Sequence, residues 1–288
     1  MKTYLAKRLL YFILLFFGVT LFTFAVTTSA PGGAIAVGSA GNAPFFIRYL
    51  AWLRVVLLGR TAGISWPRSA VFLYFGRMLP GTIKLAGVSL LVILLISLPL
   101  GLLCAIKKSS ALDFSVRFLS FFGASTPNFI LGFLLIFLVA LRFRWFPVIS
   151  NESLRSFILP VAAISIPLIS RYVRHIRGVA LEELGRDYVA GSKARGIRPW
   201  RVILCHVLPN ALPSILTFLR VSIGQLLSGV VIIEVVFMWK GIGNLTISAI
   251  RSFDYPVIQA YALWMAVLYI GASFVLDLCI FIADRRYR

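Results

Sequence analysis

The chain has 288 residues, of which 60% are hydrophobic and only 13% charged. Soluble domains carry about 25% charged residues, so this composition excludes a soluble globular enzyme, a disordered regulator and a disulfide-stapled secreted module. The net charge of +20 would suggest nucleic acid in a soluble protein; in so apolar a chain it points to basic loops beside a membrane. Cys104 and Cys279 sit in apolar runs and Cys205 in a basic loop, so no disulfide is expected.

A helix needs about 20 mostly apolar residues to cross a hydrocarbon core. In chain order, residues 9–28, 85–106 and 118–141 carry no charge. Residues 157–170 are uncharged but short, flanked by Arg155 and Arg171, whose stems can snorkel to the two surfaces. Residues 212–239 contain Arg220 and Glu234, and residues 256–283 contain Asp277. The expected fold is all-α, one transmembrane domain over 1–288 with six spans. The first span has the basic start of a signal peptide, but its apolar run exceeds the usual 7–15 residues, and it reads as a retained helix.

Residues 30–84 form a long segment between spans one and two, opening with Pro31-Gly32-Gly33 and a small-residue run to Gly41. Within it, Phe45–Leu58 reads as an interfacial helix with Tyr49 and Trp52 at headgroup depth. With the N-terminus inside, the inner loops and termini hold seventeen Lys and Arg and the outer loops eleven. That bias places both termini in the cytoplasm.

Several chemistries are missing from the sequence. No Gly-Lys pair occurs, so the Gly-x-x-x-x-Gly-Lys-Ser/Thr phosphate loop is absent. His175 and His206 are the only histidines, and neither a Gly-x-Ser-x-Gly elbow nor a His-Glu-x-x-His motif is present. Cys205-His206 supplies two adjacent ligands where a structural metal site has four. The expectation is a non-enzyme without a resident metal.

The inner loop, residues 171–211, is the most organised stretch between spans. Val179–Arg195 reads as a helix, with Glu182, Glu183 and Asp187 near its start and Lys193 and Arg195 near its end. Gly196 stands as the residue just past that end, able to take the left-handed conformation. Pro199 suits the first turn of a second helix through Trp200–Val207, which Pro209 is expected to stop. Ala190 and Ala194 stack one turn apart and make one face nearly flat. Such a face suits docking into another protein's groove; an amphipathic helix held on anionic lipid by its arginines fits the same residues.

The residues Glu182-Glu183-Leu184-Gly185-Arg186-Asp187-Tyr188-Val189-Ala190-Gly191-Ser192-Lys193-Ala194-Arg195-Gly196, followed by His206-Val207-Leu208-Pro209-Asn210-Ala211-Leu212-Pro213, resemble the "EAA" loop of binding-protein-dependent ABC importer permeases. Tyr4–Leu10, Ser125-Thr126-Pro127-Asn128-Phe129-Ile130-Leu131-Gly132, Ile233–Gly243 and Asp254-Tyr255-Pro256 extend the likeness over nearly the whole chain. The pattern is most similar to the first permease subunit of dipeptide, oligopeptide and nickel importers. The resemblance implies pairing with a second, similar permease and docking on two cytoplasmic ATPase subunits that hold ATP and Mg. It also implies an extracytoplasmic binding protein that delivers the cargo, and a bacterial-type inner-membrane location. By the same resemblance, Glu182, Glu183, Asp187, Ala190, Ala194 and Gly196 couple to the ATPase.

The sequence departs from the family at Gly33, at Gly59-Arg60-Thr61-Ala62-Gly63 and at Arg220. Arg220 lies about 10 Å into the fifth span, either facing the path or structural, by snorkelling or by pairing with Asp277. Glu234 is a gate, a contact with the second permease, or a structural carboxylate; Asn128, beside Pro127, marks either a kink or a path-lining break. Asn128, Arg220 and Glu234 are thus the candidate path residues. An ion-coupled carrier would also use six spans and an intramembrane Arg–Asp pair, but it leaves the organised loop unexplained; a membrane enzyme lacks a cluster of His or carboxylates at one depth. Short peptides are the expected cargo, with nickel or a metal chelate as the alternative.

Overall fold

The computed structural model describes residues 2–31, 43–58, 68–147 and 153–283. Helices dominate: α1 (Lys2–Ser29), α2 (Phe45–Leu58), α3 (Arg68–Ile106), α4 (Ala111–Ser125), α5 (Asn128–Leu135), α6 (Leu154–Leu184), α7 (Asp187–Ala194), α8 (Pro199–Val202), α9 (Leu208–Val236), α10 (Ile242–Arg251) and α11 (Tyr255–Ala283). Among the described residues five helical stretches are long and apolar enough to cross a membrane, and a sixth arises if α4 and the helix that follows count as one bent span. The loop motifs at Gly32–Gly41 and Gly59–Gly63, and the C-terminal Arg285, Arg286 and Arg288, lie outside the described residues.

Contacts divide the chain into two compact units, Met1–Thr82 with Lys240–Gly271, and Ile83–Trp239 with Ala272–Arg288. In the first, α2 packs Tyr49 and Trp52 against the protein and leaves Phe45 and Phe46 exposed. Tyr49 and Trp52 are buried against Phe24 of α1, the Tyr49 hydroxyl is 2.8 Å from Thr20 Oγ1, and Trp52 Nε1 donates to Gln259 Oε1 at 2.9 Å. Buried Tyr and Trp rings find hydrogen-bond partners for their polar ends in this way. It is Phe46, Ile47 and Leu50 that face outward.

The second unit is built around α6. This helix keeps going through Pro160 and Pro167 and buries Ile164, Leu168, Tyr172 and Ile176 in the main core with Leu85, Ile93, Leu219 and Val230. Close approach is set by glycines. A methyl at Gly101 would stand 2.7 Å from Ile176 Cγ2, and one at Gly132 would press on Ile233, Val236 and Phe237 at 3.2–3.4 Å.

The stretch 118–141, read as one span, is instead two helices meeting at 101° across Thr126 and Pro127. Thr126 and Pro127 are both extended, with ψ of 123° and 141°. A residue before proline is driven out of the helical region, and proline offers no N–H to the turn behind it. Past the break, α5 loosens into π-helical turns over Ile136–Arg142.

Pro209 behaves differently from the sequence expectation, because it stops nothing. The helical run is continuous from Pro199 to Val236. A π-helical stretch, Ile203–Val207, precedes Pro209, and the Leu208 N–H bonds Ile203 O five residues back. The wider turn re-registers the ladder next to the missing donor.

One buried ion pair fastens α4 to α6. Asp113 is fully buried and receives Arg177 Nε at 2.6 Å and a second guanidinium nitrogen at 2.8 Å. The Ser109 N–H donates to the same carboxylate at 3.1 Å, and Ser110 caps α4. Arg117 approaches at 3.4 Å from a far more exposed position. Removing one member of such a pair strands a buried charge. Asp113→Ala should therefore lower stability by about 3–5 kcal/mol, and Arg117→Ala by about 0.5 kcal/mol or less, read as thermal unfolding of the purified protein in detergent.

Candidate functional site

Two surfaces of the second unit carry the candidate residues. The first is the loop after α6. Val179–Arg195 is not one helix: α6 ends at Leu184, Gly185 and Arg186 turn the chain, and α7 starts at Asp187. The Gly185 N–H closes back on the Leu181 and Glu182 carbonyls, and Arg186 is extended at ψ 149°. The turn lets Val189 reach Val202 and Val207 in a small core of its own.

Only Asp187 therefore sits at a helix start, where its charge suits the dipole. Glu182 and Glu183 stand at the C-terminal end of α6, where a carboxylate is disfavoured. Arg186 offsets this, lying 2.9 Å from Glu182 Oε1 and 3.6 Å from Glu183 Oε1. The Tyr188 hydroxyl donates to Glu183 Oε2 at 2.7 Å. Burial pushes the Tyr188 phenol above its ordinary range, and the Glu183 carboxylate pushes it the same way, so Tyr188 remains a donor at neutral pH. Glu182, Glu183, Arg186, Tyr188, Asn210 and Ser214 line a polar cleft of about 540 Å³ behind this turn.

The outer face of α7 is set by what its inner face buries. Val189 and Ser192 are buried, whereas Asp187, Ala190, Gly191 and Ala194 are exposed at helical spacing. Gly196 has φ +74°. Its N–H bonds Lys193 O at 2.9 Å, and the Ile197 N–H bonds Ser192 O at 3.2 Å, the paired closure of a Schellman end. Ile197 then packs on the Val189 core.

The second surface lies along α9. Its apolar residues Ile215, Leu219, Ile223, Leu226, Val230 and Ile233 are buried, while Ser214, Thr217, Gly224, Gln225 and Ser228 are exposed together with Val221 and Ile232. The open face is thus a polar stripe interrupted by Val221 and Ile232, and its polar side chains are costly to place against lipid. Asn128 stands beside it, at the α4–α5 break, with its amide against Gly229, where a methyl would collide with it. Arg220 borders this face, one turn from Thr217 and from Gly224 along α9. Arg220 donates to Asp277 Oδ1 of α11 at 3.1 Å. Glu234 is fully buried, and its carbonyl accepts the Trp239 N–H at 2.8 Å. Sequence reading did not find the Asp113–Arg177 pair, whose members are 64 residues apart, nor the Tyr188–Glu183 bond; no local pattern marks either.

A family described as "Binding-protein-dependent transport system inner membrane component" matches residues 97–288. The chain is 30% identical to the oligopeptide transport system permease protein AppB of Bacillus subtilis, over 99% of each chain. Identity is 31% to the di/tripeptide transport system permease protein DppB of Pseudomonas aeruginosa, covering 100% of this chain and 99% of that one. It is 32% to the metal-staphylopine import system permease protein CntB of Staphylococcus aureus, covering 86% and 79%. In fold, the chain matches an inward-facing MetNI methionine ABC transporter structure with a TM-score of 0.62 at 18% identity, over 74% of this chain and 98% of that one.

No neighbouring atom lies within 4 Å of a methyl built at Gly196, so only backbone strain opposes a side chain there. Gly196→Ala should weaken the α7 end by about 1–2 kcal/mol and Gly196→Asn by less. The faster hydrogen exchange of the Gly196 and Ile197 amides would measure it.

Proposed function

Because the chain belongs to the family of binding-protein-dependent transport system inner membrane components, we propose that α7 is the element through which nucleotide-driven movement enters it. The chain is a multi-pass permease of an ABC importer of the peptide/nickel branch. Its energy comes from two ATPase subunits that hold ATP and Mg, and a second permease completes the path. A binding protein supplies cargo from outside, and both termini face the cytoplasm.

The observation that carries the coupling reading is the split character of α7. Val189 anchors the helix from behind, and the side left open is Asp187, Ala190 and Ala194. Two methyls and a glycine make a shallow surface that another protein can approach closely. Asp187, with the exposed Lys193 and Arg195, frames it with charge. Gly196 fixes where the helix ends, and Glu182 and Glu183, through Arg186 and Tyr188, tie its start to α6. A push on α7 is thereby passed to α6 and, through Arg177, to α4.

The path runs along the polar stripe of α9, with Asn128 at the break in the third span. Arg220 acts through Asp277, holding α9 to α11, and Glu234 supports the outer end of α9 from inside. Spans follow α1, α3, the bent α4–α5 pair, α6, α9 and α11. The cargo is a short peptide. Names of relatives that handle oligopeptides and di/tripeptides support this, and a metal chelate is the second reading, from the metal-staphylopine permease.

Ala190→Arg and Ala194→Arg should each leave the chain inserted and paired with the second permease while cutting ATP-fuelled uptake in proteoliposomes more than about ten-fold, since a charged side chain must be buried at the docking face. Uptake at the wild-type rate with these variants, or transport by the isolated chain without nucleotide, would overturn the coupling role.

A further inference from the structure

The second unit holds eight carboxylates against fifteen arginines, so not every arginine can be paired. Arg177 is paired with Asp113, Arg220 with Asp277 and Arg186 with Glu182 and Glu183. Arg171 is the exception among those that contact neighbouring helices. It donates to Gln225 Oε1 at 2.7 Å and to Ala124 O at 3.5 Å, and forms no ion pair among the described residues.

Both partners are neutral, so the full guanidinium charge remains. The side chain reaches across to two other helices: Gln225 lies near the middle of the 29-residue α9, and Ala124 lies in the last turn of α4, at the bend. Gln225 belongs to the exposed polar stripe with Gly224 and Ser228. A guanidinium has five N–H donors in a planar fork. Two are engaged here, which leaves donors for a ligand at membrane depth, where an ionisable side chain is costly and marks a pathway.

We propose that Arg171, oriented by Gln225, contacts the carboxylate of the cargo as it passes along the α9 stripe. This rests on the path reading above and adds the chemical group that is read: an anionic carboxylate, such as the C-terminus of a peptide. An oxyanion replaces or joins the amide of Gln225 and adds the attraction of an opposite charge to a hydrogen bond whose donor is already ionised. The contact is worth little in a closed path filled by protein and much in one open to a desolvated cargo.

Two measurements test it on the assembled importer in liposomes. In a Cys205→Ser, Cys279→Ser background, Ser228→Cys is reacted with an anionic sulfonatoethyl and a cationic trimethylammonioethyl methanethiosulfonate. The anionic-to-cationic rate ratio should fall about ten-fold on adding Arg171→Gln and stay near its original value with Arg171→Lys. A Ser228→Cys thiol that neither reagent reaches would overturn the path reading and this inference together. A reactive thiol whose ratio ignores Arg171→Gln would overturn this inference alone. In the second measurement, uptake of dialanine is divided by uptake of dialanine amide, so that any loss from weaker assembly cancels. Arg171→Gln should lower that quotient about ten-fold, and an unchanged quotient would overturn the assignment.

Discussion

Charge placed in a low-dielectric interior is the constraint on which the second unit depends. Desolvating a carboxylate or a guanidinium costs several kcal/mol unless a partner with good geometry meets it. With nine acidic residues against 29 basic ones in the whole chain, a carboxylate buried among the helices is a scarce resource. Asp113 meets Arg177, joining α4 to α6 two turns before α6 ends, and Asp277 meets Arg220, joining α9 to α11. Arg171, given only an amide and a carbonyl, stands apart.

Backbone breaks supply the opposite property. Thr126-Pro127 turns the third span through 101°, and the π-helical stretch before Pro209 bends the hydrogen-bond ladder without ending the helix. Elsewhere, Gly101 and Gly132 bring helices close enough that an added methyl would force a neighbour to shift. Tight contacts of this kind transmit displacement, because a close-packed interface has little room to absorb it. The second unit is thus close-packed along α6 and interrupted between α4 and α5.

The loop from Gly185 to Gly196, proposed as the coupling element, lies between α6 and α9. Its own core of Val189, Val202 and Val207 is small, so its shape is set as much by turns as by burial: the Gly185-Arg186 turn at one end, the left-handed Gly196 at the other. The face that results is small-residue and open, and the residues behind it run directly into α6 and α9. Sequence and structure agree closely at Gly196, where backbone stereochemistry alone decides. They part at residues 179–195, because the tertiary demand to bury Val189 outweighs helical continuity.

Taken by itself, the sequence determined what depends on composition and local stereochemistry. Uncharged runs of spanning length, the helix after Pro199, the glycine at the end of α7 and the disruption at Pro127 all follow from hydrophobic transfer and from the restrictions of proline and glycine. The family likeness was readable from motifs of the same local kind. Tertiary structure alone decided which residues meet across distance. Tyr49 and Trp52 pack inward rather than at a surface, Asp113 meets Arg177, Arg220 chooses Asp277, and Glu234 is enclosed while Gln225 is open. Partner choice of this kind depends on helix rotation and close approach, which hydropathy and spacing do not encode, because a helix pattern records which faces differ and not what each face will touch.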